Sequence, residues 1–280
     1  MLTIWTIFRR SMAEPVRGAQ LVSRVSRILK VVSEHPDGLT AAAAAHATGF
    51  TRPTTYRLLA SLAAEGFVDH DTARGRWFLG PELYLLGSLA ADRYDITDAA
   101  RDSVRSLAKE TGESAFFSTR RGNETVCLLR EEGSFPVRSF VLSEGVRFPL
   151  GVASAGLAIL SFLSEGEVDA YLARVDLTER WGAQHAEHLL RQRIGETRER
   201  GYAVNPGLIL EGSWGMGATV FDATGRPAWA LSLTGIESRF RVGRQAELGQ
   251  LLLDHAHGVG QRLASASPGV PAPSRSRNPT

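Results

Sequence analysis

Between Thr40 and Ala64 the chain reads "TAAAAAHATGFTRPTTYRLLASLAA", and its punctuation leaves the backbone little freedom. Thr40 is placed to cap a helix through the alanine run. Gly49 can close that helix in the left-handed conformation that side chains resist, and Thr51 can cap the next one. Pro53 falls in the first turn of that next helix, where a missing N–H costs nothing. One helix therefore ends and another begins within three residues.

The flanking segments extend the pattern. Over residues 20–35 the apolar side chains Leu21, Val25, Ile28, Leu29 and Val32 recur at the spacing of an amphipathic helix, and "HPDG" stops it. After Gly66, "FVDH" and "RWFLG" read as two strands around the polar tip "DTARG". Three helices and a hairpin make a winged helix-turn-helix over residues 19–80. "PELYLLGSLAADRYD" opens with proline and reads as a connecting helix, residues 81–96.

Residues 97–264 alternate differently. "SAFFSTR" and "ETVCLLRE" are expected as strands joined by "RGN", "GLAILSFL" as a buried helix and "EHLLRQRIGETRERGY" as an exposed one ending at Gly201. "GMGATVFDATGRPAWALSLTGI" gives two strands around a glycine turn, and a last helix runs over about 243–263. The fold class is α+β, with a sheet and flanking helices in the second domain. Residues 265–280 are rich in Pro and Ser and are expected to be disordered, and residues 1–18 to be disordered or to precede the true start, with Met12 the alternative first residue.

A chain of 280 residues, 43% hydrophobic, suffices for two cores. No apolar run approaches the roughly 20 residues that span a bilayer, so no membrane segment is expected. Cys127 is the only cysteine, which excludes an internal disulfide, suits a reducing cytoplasm and reads as a small buried strand residue. The formal charge of +2 announces no nucleic acid by itself, so any basic patch must be local.

Such a patch is available on the helix that Thr51 caps. A helical wheel places Thr55, Leu58, Leu59 and Leu62 on one side and Pro53, Tyr56, Arg57, Ala60 and Ser61 on the other. Small residues let a backbone approach a groove while Arg52 and Arg57 reach guanine, whose two acceptors match the guanidinium fork. Thr51 lies at the helix start, Thr54 and Tyr56 suit phosphates, and Arg74 and Arg76 in the wing would follow the flanking DNA backbone or minor groove. The competing reading is ordinary solvated charge.

In the second domain, Ser232 and Thr234 alternate with Leu231 and Leu233, so both hydroxyls point to one face of a strand built to be buried. Buried hydroxyls need partners: either neighbouring backbone or a ligand, for which a carboxylate is suited.

The run "LTAAAAAHATGFTRPTTYRLLASLAAEGFVDHDTARGRWFLGPELYLLG" resembles the N-terminal domain of the IclR family of bacterial transcription regulators, in which "ATG", "TxYRLLxxLxxEG" and "LGxxLxxLG" elements recur. "EGVRFPLGVASAGLAILSFL" and "GMGATVFDATGRPAWALSLTGIESRF" resemble its effector domain. The resemblance implies a GAF-like α+β fold that binds small organic or aromatic acids, double-stranded DNA as partner, and assembly as homodimers or homotetramers. It also implies a pocket lined at Leu150 and Gly151, by backbone groups at Gly215 and Met216, and by the hydroxyl side chains of Ser232 and Thr234. Pro53 stands where the family commonly has Ser and Thr55 where it has Val. Gly151 replaces a common His and Leu157 a common Lys, which points to a more apolar or aromatic ligand.

Enzyme signatures are weak. "GSWGMG" lacks the lysine of a phosphate loop, His185 and His188 lack a third metal ligand and read as solvated helix residues, and His255 and His257 do not share a helix face. No Gly-x-Ser-x-Gly elbow is present and Cys127 has only Arg130 nearby in sequence. The expectation is a non-enzymatic, ligand-modulated DNA-binding regulator without cofactor or metal. The alternatives are a second domain that only oligomerises, or a small-molecule enzyme with a DNA-binding appendage.

Overall fold

The computed structural model describes residues 20–91, 96–137 and 141–266, which form two compact units divided after Asp95. The expected disordered ends, 1–18 and most of 265–280, and the close of the connecting helix at 92–95 lie outside the described residues.

In the first unit α1 (Gln20–Ser33), α2 (Ala41–Thr48) and α3 (Arg52–Ala64) precede β1 (Val68–Asp71), β2 (Arg76–Leu79) and α4 (Pro81–Ala91). Ile28, Val32, Leu39, Leu59, Leu62, Val68 and Trp77 form its core, and buried Ala44 lets α2 lie close to its neighbours. The core stripe of α1 starts later than its spacing suggests: Leu21 is 64% exposed. Leu39 joins the wing as a third extended segment, exchanging backbone hydrogen bonds of 3.1 and 2.9 Å with Trp77.

The second unit is built on an antiparallel six-stranded sheet in the order β5-β4-β3-β8-β7-β6. Its strands are β3 (Ser114–Arg121), β4 (Glu124–Glu131), β5 (Arg147–Pro149), β6 (Tyr202–Pro206), β7 (Ser213–Phe221) and β8 (Pro227–Ile236). Against one face pack α5 (Ile96–Thr111) and α10 (Val242–Ala266), burying Val104, Leu107, Leu248 and Leu252 on Phe117, Met216, Leu231 and Leu233. Against the other lie α6 (Ser154–Ser161), α7 (Glu165–Leu172) and α9 (Glu187–Arg200), with the single turn α8 (Thr178–Trp181) between the last two. Because both faces are covered, consecutive Phe116 and Phe117 are each buried, on opposite sides. Each such side chain contributes about 1.5–3 kcal/mol by leaving water.

Five elements are absent from the sequence reading: α5, β5, α7, α8 and β6. The short pieces carry too little pattern, but Ala100, Val104, Leu107 and Ala108 of α5 repeat at helical spacing and are buried. Among the described residues, no helix is long and apolar enough to cross a membrane.

A buried ion network closes one end of the sheet. Glu113 is 2% exposed and accepts from Arg239 Nε at 2.7 Å and Arg244 Nη1 at 2.8 Å, while both guanidiniums also donate to the carbonyl of Thr111. Gly235 makes room for it, since a Cβ there would lie 2.3 Å from Glu113 Oε2. Glu113→Ala is expected to destabilise the unit by about 2 kcal/mol in chemical denaturation. An unchanged denaturation midpoint would show the network to be dispensable.

Candidate functional site

The first unit presents a helix corner whose caps form as the sequence requires. Thr40 Oγ1 accepts the N–H of Ala43 at 3.2 Å, Gly49 takes φ 72° and donates to the carbonyl of Ala45, and Thr51 Oγ1 accepts the N–H of Thr54. Each side-chain cap contributes about 1 kcal/mol. Thr55 is fully buried and donates its hydroxyl to the carbonyl of Thr51 at 3.1 Å, which satisfies a polar group on the core side beside Leu59 and Leu62.

Arg52, Pro53, Tyr56, Arg57, Ala60 and Ser61 are exposed together on the opposite side. Thr51 also donates to Thr54 Oγ1 at 2.9 Å, so Thr51 is committed as a cap while the hydroxyl proton of Thr54 is free to donate outward. In the wing, Arg74 stands exposed at the tip, its guanidinium 3.8 Å from Asp71. Arg76 departs from expectation: its Nη1 donates to the carbonyls of Asp37 and Gly38.

In the second unit the alternation along β7 and β8 builds a cavity of about 30 Å³ beneath the start of α6. Gly215 lies directly opposite Thr234 and Gly217 opposite Ser232, so two residues without side chains share a face with two hydroxyls. The first turn of α6 fills the space the glycines leave: a Cβ at 215 would lie 3.1 Å from Ser154 Oγ, and one at 217 would lie 3.0 Å from the Ser154 backbone. The glycine-rich "GSWGMG" is thus a packing device for a helix end.

Ser232 and Thr234 both line the cavity, and neither hydroxyl oxygen finds a hydrogen-bond partner among the described residues. Ala153, the residue before α6, supplies no side-chain cap. The first intrahelical bond is from the Leu157 N–H to Ala153, so the N–H groups of the opening turn are left for other acceptors. Val141, Leu142, Phe148, Ile209 and Trp214 complete an apolar wall. Asn205 also lines the cavity but is committed, donating to the Val152 carbonyl at 2.6 Å and accepting from the Leu208 N–H at 3.0 Å.

A larger depression of about 330 Å³ lies between α7 and α9, with Asp176 and Glu187 among its lining. Its carboxylates are engaged: Asp176 accepts from the N–H and hydroxyl of Thr178, and Glu187 from Arg191.

Comparison with known proteins places both halves of the chain. Residues 21–72 match the IclR helix-turn-helix domain, and residues 88–261 match the C-terminal region of bacterial IclR transcriptional regulators. The chain belongs to the IclR family. It is similar to the HTH-type transcriptional regulator KipR of Bacillus subtilis, 29% identical over 230 residues, covering 82% of this chain and 91% of that one. An IclR transcriptional regulator structure from Alicyclobacillus acidocaldarius matches with a TM-score of 0.71 at 27% identity, over 86% of this chain and 97% of that one. The same fold, at 20% identity and a TM-score of 0.72 over 88% of this chain and all of that one, occurs in an IclR homologue from Microbacterium hydrocarbonoxydans complexed with 4-hydroxybenzoate. This is a transcription regulator of the IclR family with a helix-turn-helix DNA-binding domain.

Leu150, Gly151 and the side chain of Met216 are not among the residues that line the cavity beneath α6. Met216 alternates with Gly215 and Gly217, so its side chain lies on the opposite sheet face, buried among residues of α5 and α10. Leu150 is buried, and its carbonyl accepts the Tyr171 hydroxyl at 2.8 Å. Gly151 has φ 85°, and a Cβ on it would lie 2.9 Å from Leu190 of α9, so the close approach of α9 occupies that position. Leu157, 1% exposed, is core.

The histidines also differ from expectation. His185 sits in a short 3-10 turn before α9, not on the helix with His188, and is 2% exposed. Its Nδ1 bonds to the Trp181 carbonyl at 2.8 Å. No group of three or more His, Cys, Asp or Glu among the described residues could hold a metal. Burial pushes the Cys127 thiol up to about 12, with the nearby Glu144 adding to it, so it offers no thiolate.

Burial, and then the charge of Arg193, hold the His185 imidazole below its ordinary value of 6.5. The unfolded chain therefore binds a proton below 6.5 that the folded chain resists, so this contribution to stability is full above that pH and falls as pH drops through it. The melting temperature should decline between pH 7 and pH 5, and more steeply than in a His185→Gln variant. Parallel profiles for the two proteins would remove His185 as the cause.

Proposed function

We propose that this regulator reads an operator through α3 and the wing, and that a small organic or aromatic acid held beneath α6 changes that binding. The observation that carries the second half is the pair of buried, unpartnered hydroxyls at Ser232 and Thr234 beside an uncapped helix start. Leaving such groups unsatisfied costs about 1–3 kcal/mol each, and a carboxylate would accept from both hydroxyls and from backbone N–H groups at the positive end of the α6 dipole. No Arg, Lys or His lines the cavity among the described residues, so an anion there would be held by dipoles.

At about 30 Å³ the cavity holds roughly one or two water molecules, so a metabolite needs the apolar wall of Val141, Leu142 and Ile209 to retreat. That requirement couples occupancy to conformation: a ligand that binds only the widened state shifts the population towards it. The Microbacterium homologue, complexed with 4-hydroxybenzoate, is a precedent for an aromatic acid on this fold.

On the DNA side, Arg52 and Arg57 are the base readers, with Thr54, Tyr56 and Arg74 on phosphates. The chain would act as a homodimer or homotetramer, since paired helix-turn-helix units fit two half-sites about one DNA turn apart. Exposed Pro53, where relatives commonly carry serine, is where its operator would part from theirs.

Arg52→Ala and Arg57→Ala should each cost about 1–3 kcal/mol of specific operator binding with unchanged thermal unfolding. Wild-type footprints for both variants would sink the recognition-helix assignment. Ser232→Ala combined with Thr234→Ala should weaken effector binding roughly tenfold or more in calorimetry while ligand-free operator affinity persists. The effector comes from gel shifts on the DNA upstream of its own gene with a panel of small acids. Ligand-indifferent shifts would favour a purely oligomerising second unit, and ligand turnover an enzyme.

A further inference from the structure

Three consecutive residues of β2 are each fastened to a different part of the first unit. Arg76 Nη1 donates to the carbonyls of Asp37 at 3.2 Å and Gly38 at 2.7 Å, in the turn before α2. Trp77, 3% exposed, exchanges backbone bonds with Leu39 on one side and lies opposite His70 on the other, stacked on its ring at 4.0 Å with the planes 10° apart. Phe78 covers Gly38, whose φ is 71° and whose added Cβ would come within 2.5 Å of the Phe78 ring.

Tyr56 also packs against Trp77 in a T-shaped pair, with ring centroids 6.0 Å apart and planes 86° to each other. Tyr56 stands on the exposed side of α3 with Arg52 and Arg57. The orientation of that side relative to the wing therefore depends on where β2 is held, and one of the side chains holding it is Arg76.

We infer that Arg76 is a positioning residue for DNA binding and not a phosphate contact. The inference rests on the DNA-binding reading of α3 and the wing. What the site asks of residue 76 is an N–H donor to two backbone carbonyls, and a formal charge is not needed for that. Arg74 is the contrast in partners: both residues are exposed, but the Arg74 guanidinium approaches Asp71 at 3.8 Å whereas that of Arg76 is tied to two carbonyls.

The test is the salt dependence of operator affinity for the full chain and three variants. Each phosphate contact contributes roughly one to the slope of log affinity against log salt. Arg74→Gln should lower that slope by about one. Arg76→Gln, a neutral donor, should hold the slope to within about a third of a unit and lose about threefold in affinity. Arg76→Ala, which has no donor, should lose roughly tenfold on every operator sequence, again at the wild-type slope. A fall of about one in the slope of either Arg76 variant overturns the inference, as does wild-type affinity in Arg76→Ala. Failure of the unsubstituted chain to bind DNA would bring down the underlying DNA-binding reading and this inference with it.

Discussion

The second unit depends on how closely α6 approaches the sheet. What permits it is the absence of side chains at Gly215 and Gly217, where an added Cβ would lie 3.1 and 3.0 Å from Ser154. The pairing register sets Thr234 and Ser232 directly across from these glycines, so the same approach that seats the helix also brings two hydroxyls under its first turn. A side chain at either glycine would press on Ser154, which would have to give by a few tenths of an ångström. The intervening Met216 and Leu233 face the other way and fasten the sheet to α5 and α10. One alternating segment thus supplies the two hydroxyls of an otherwise largely apolar cavity on one face and a hydrophobic anchor on the other.

The two units handle charge in opposite ways. In the first, arginines stand in solvent around small residues, where their interactions are long-ranged and screened by salt. In the second, the charged groups near the core are tied into ion pairs, as Glu113 is to Arg239 and Arg244, while the cavity is left to hydroxyls and backbone dipoles.

Features set by near neighbours were legible in the sequence. The caps at Thr40, Gly49 and Thr51, the buried Thr55 and the shared face of Ser232 and Thr234 follow from spacings of two to four residues. Features set by distant contacts were not. Arg76 reads as free surface charge because its carbonyl partners lie 38 and 39 residues earlier. His185 reads as a helix residue because nothing local marks the short turn that separates it from His188. The strip along α5 was legible.

Gly151 constrains the turn that precedes α6. Its backbone occupies the left-handed region that side chains resist, and a Cβ there would already press against Leu190, with Leu160 only 3.2 Å away. A larger residue at 151 therefore faces backbone strain and requires the ends of the Leu190 and Leu160 side chains to move aside. The turn that precedes α6 is thus held in a backbone conformation that glycine adopts easily and other residues resist.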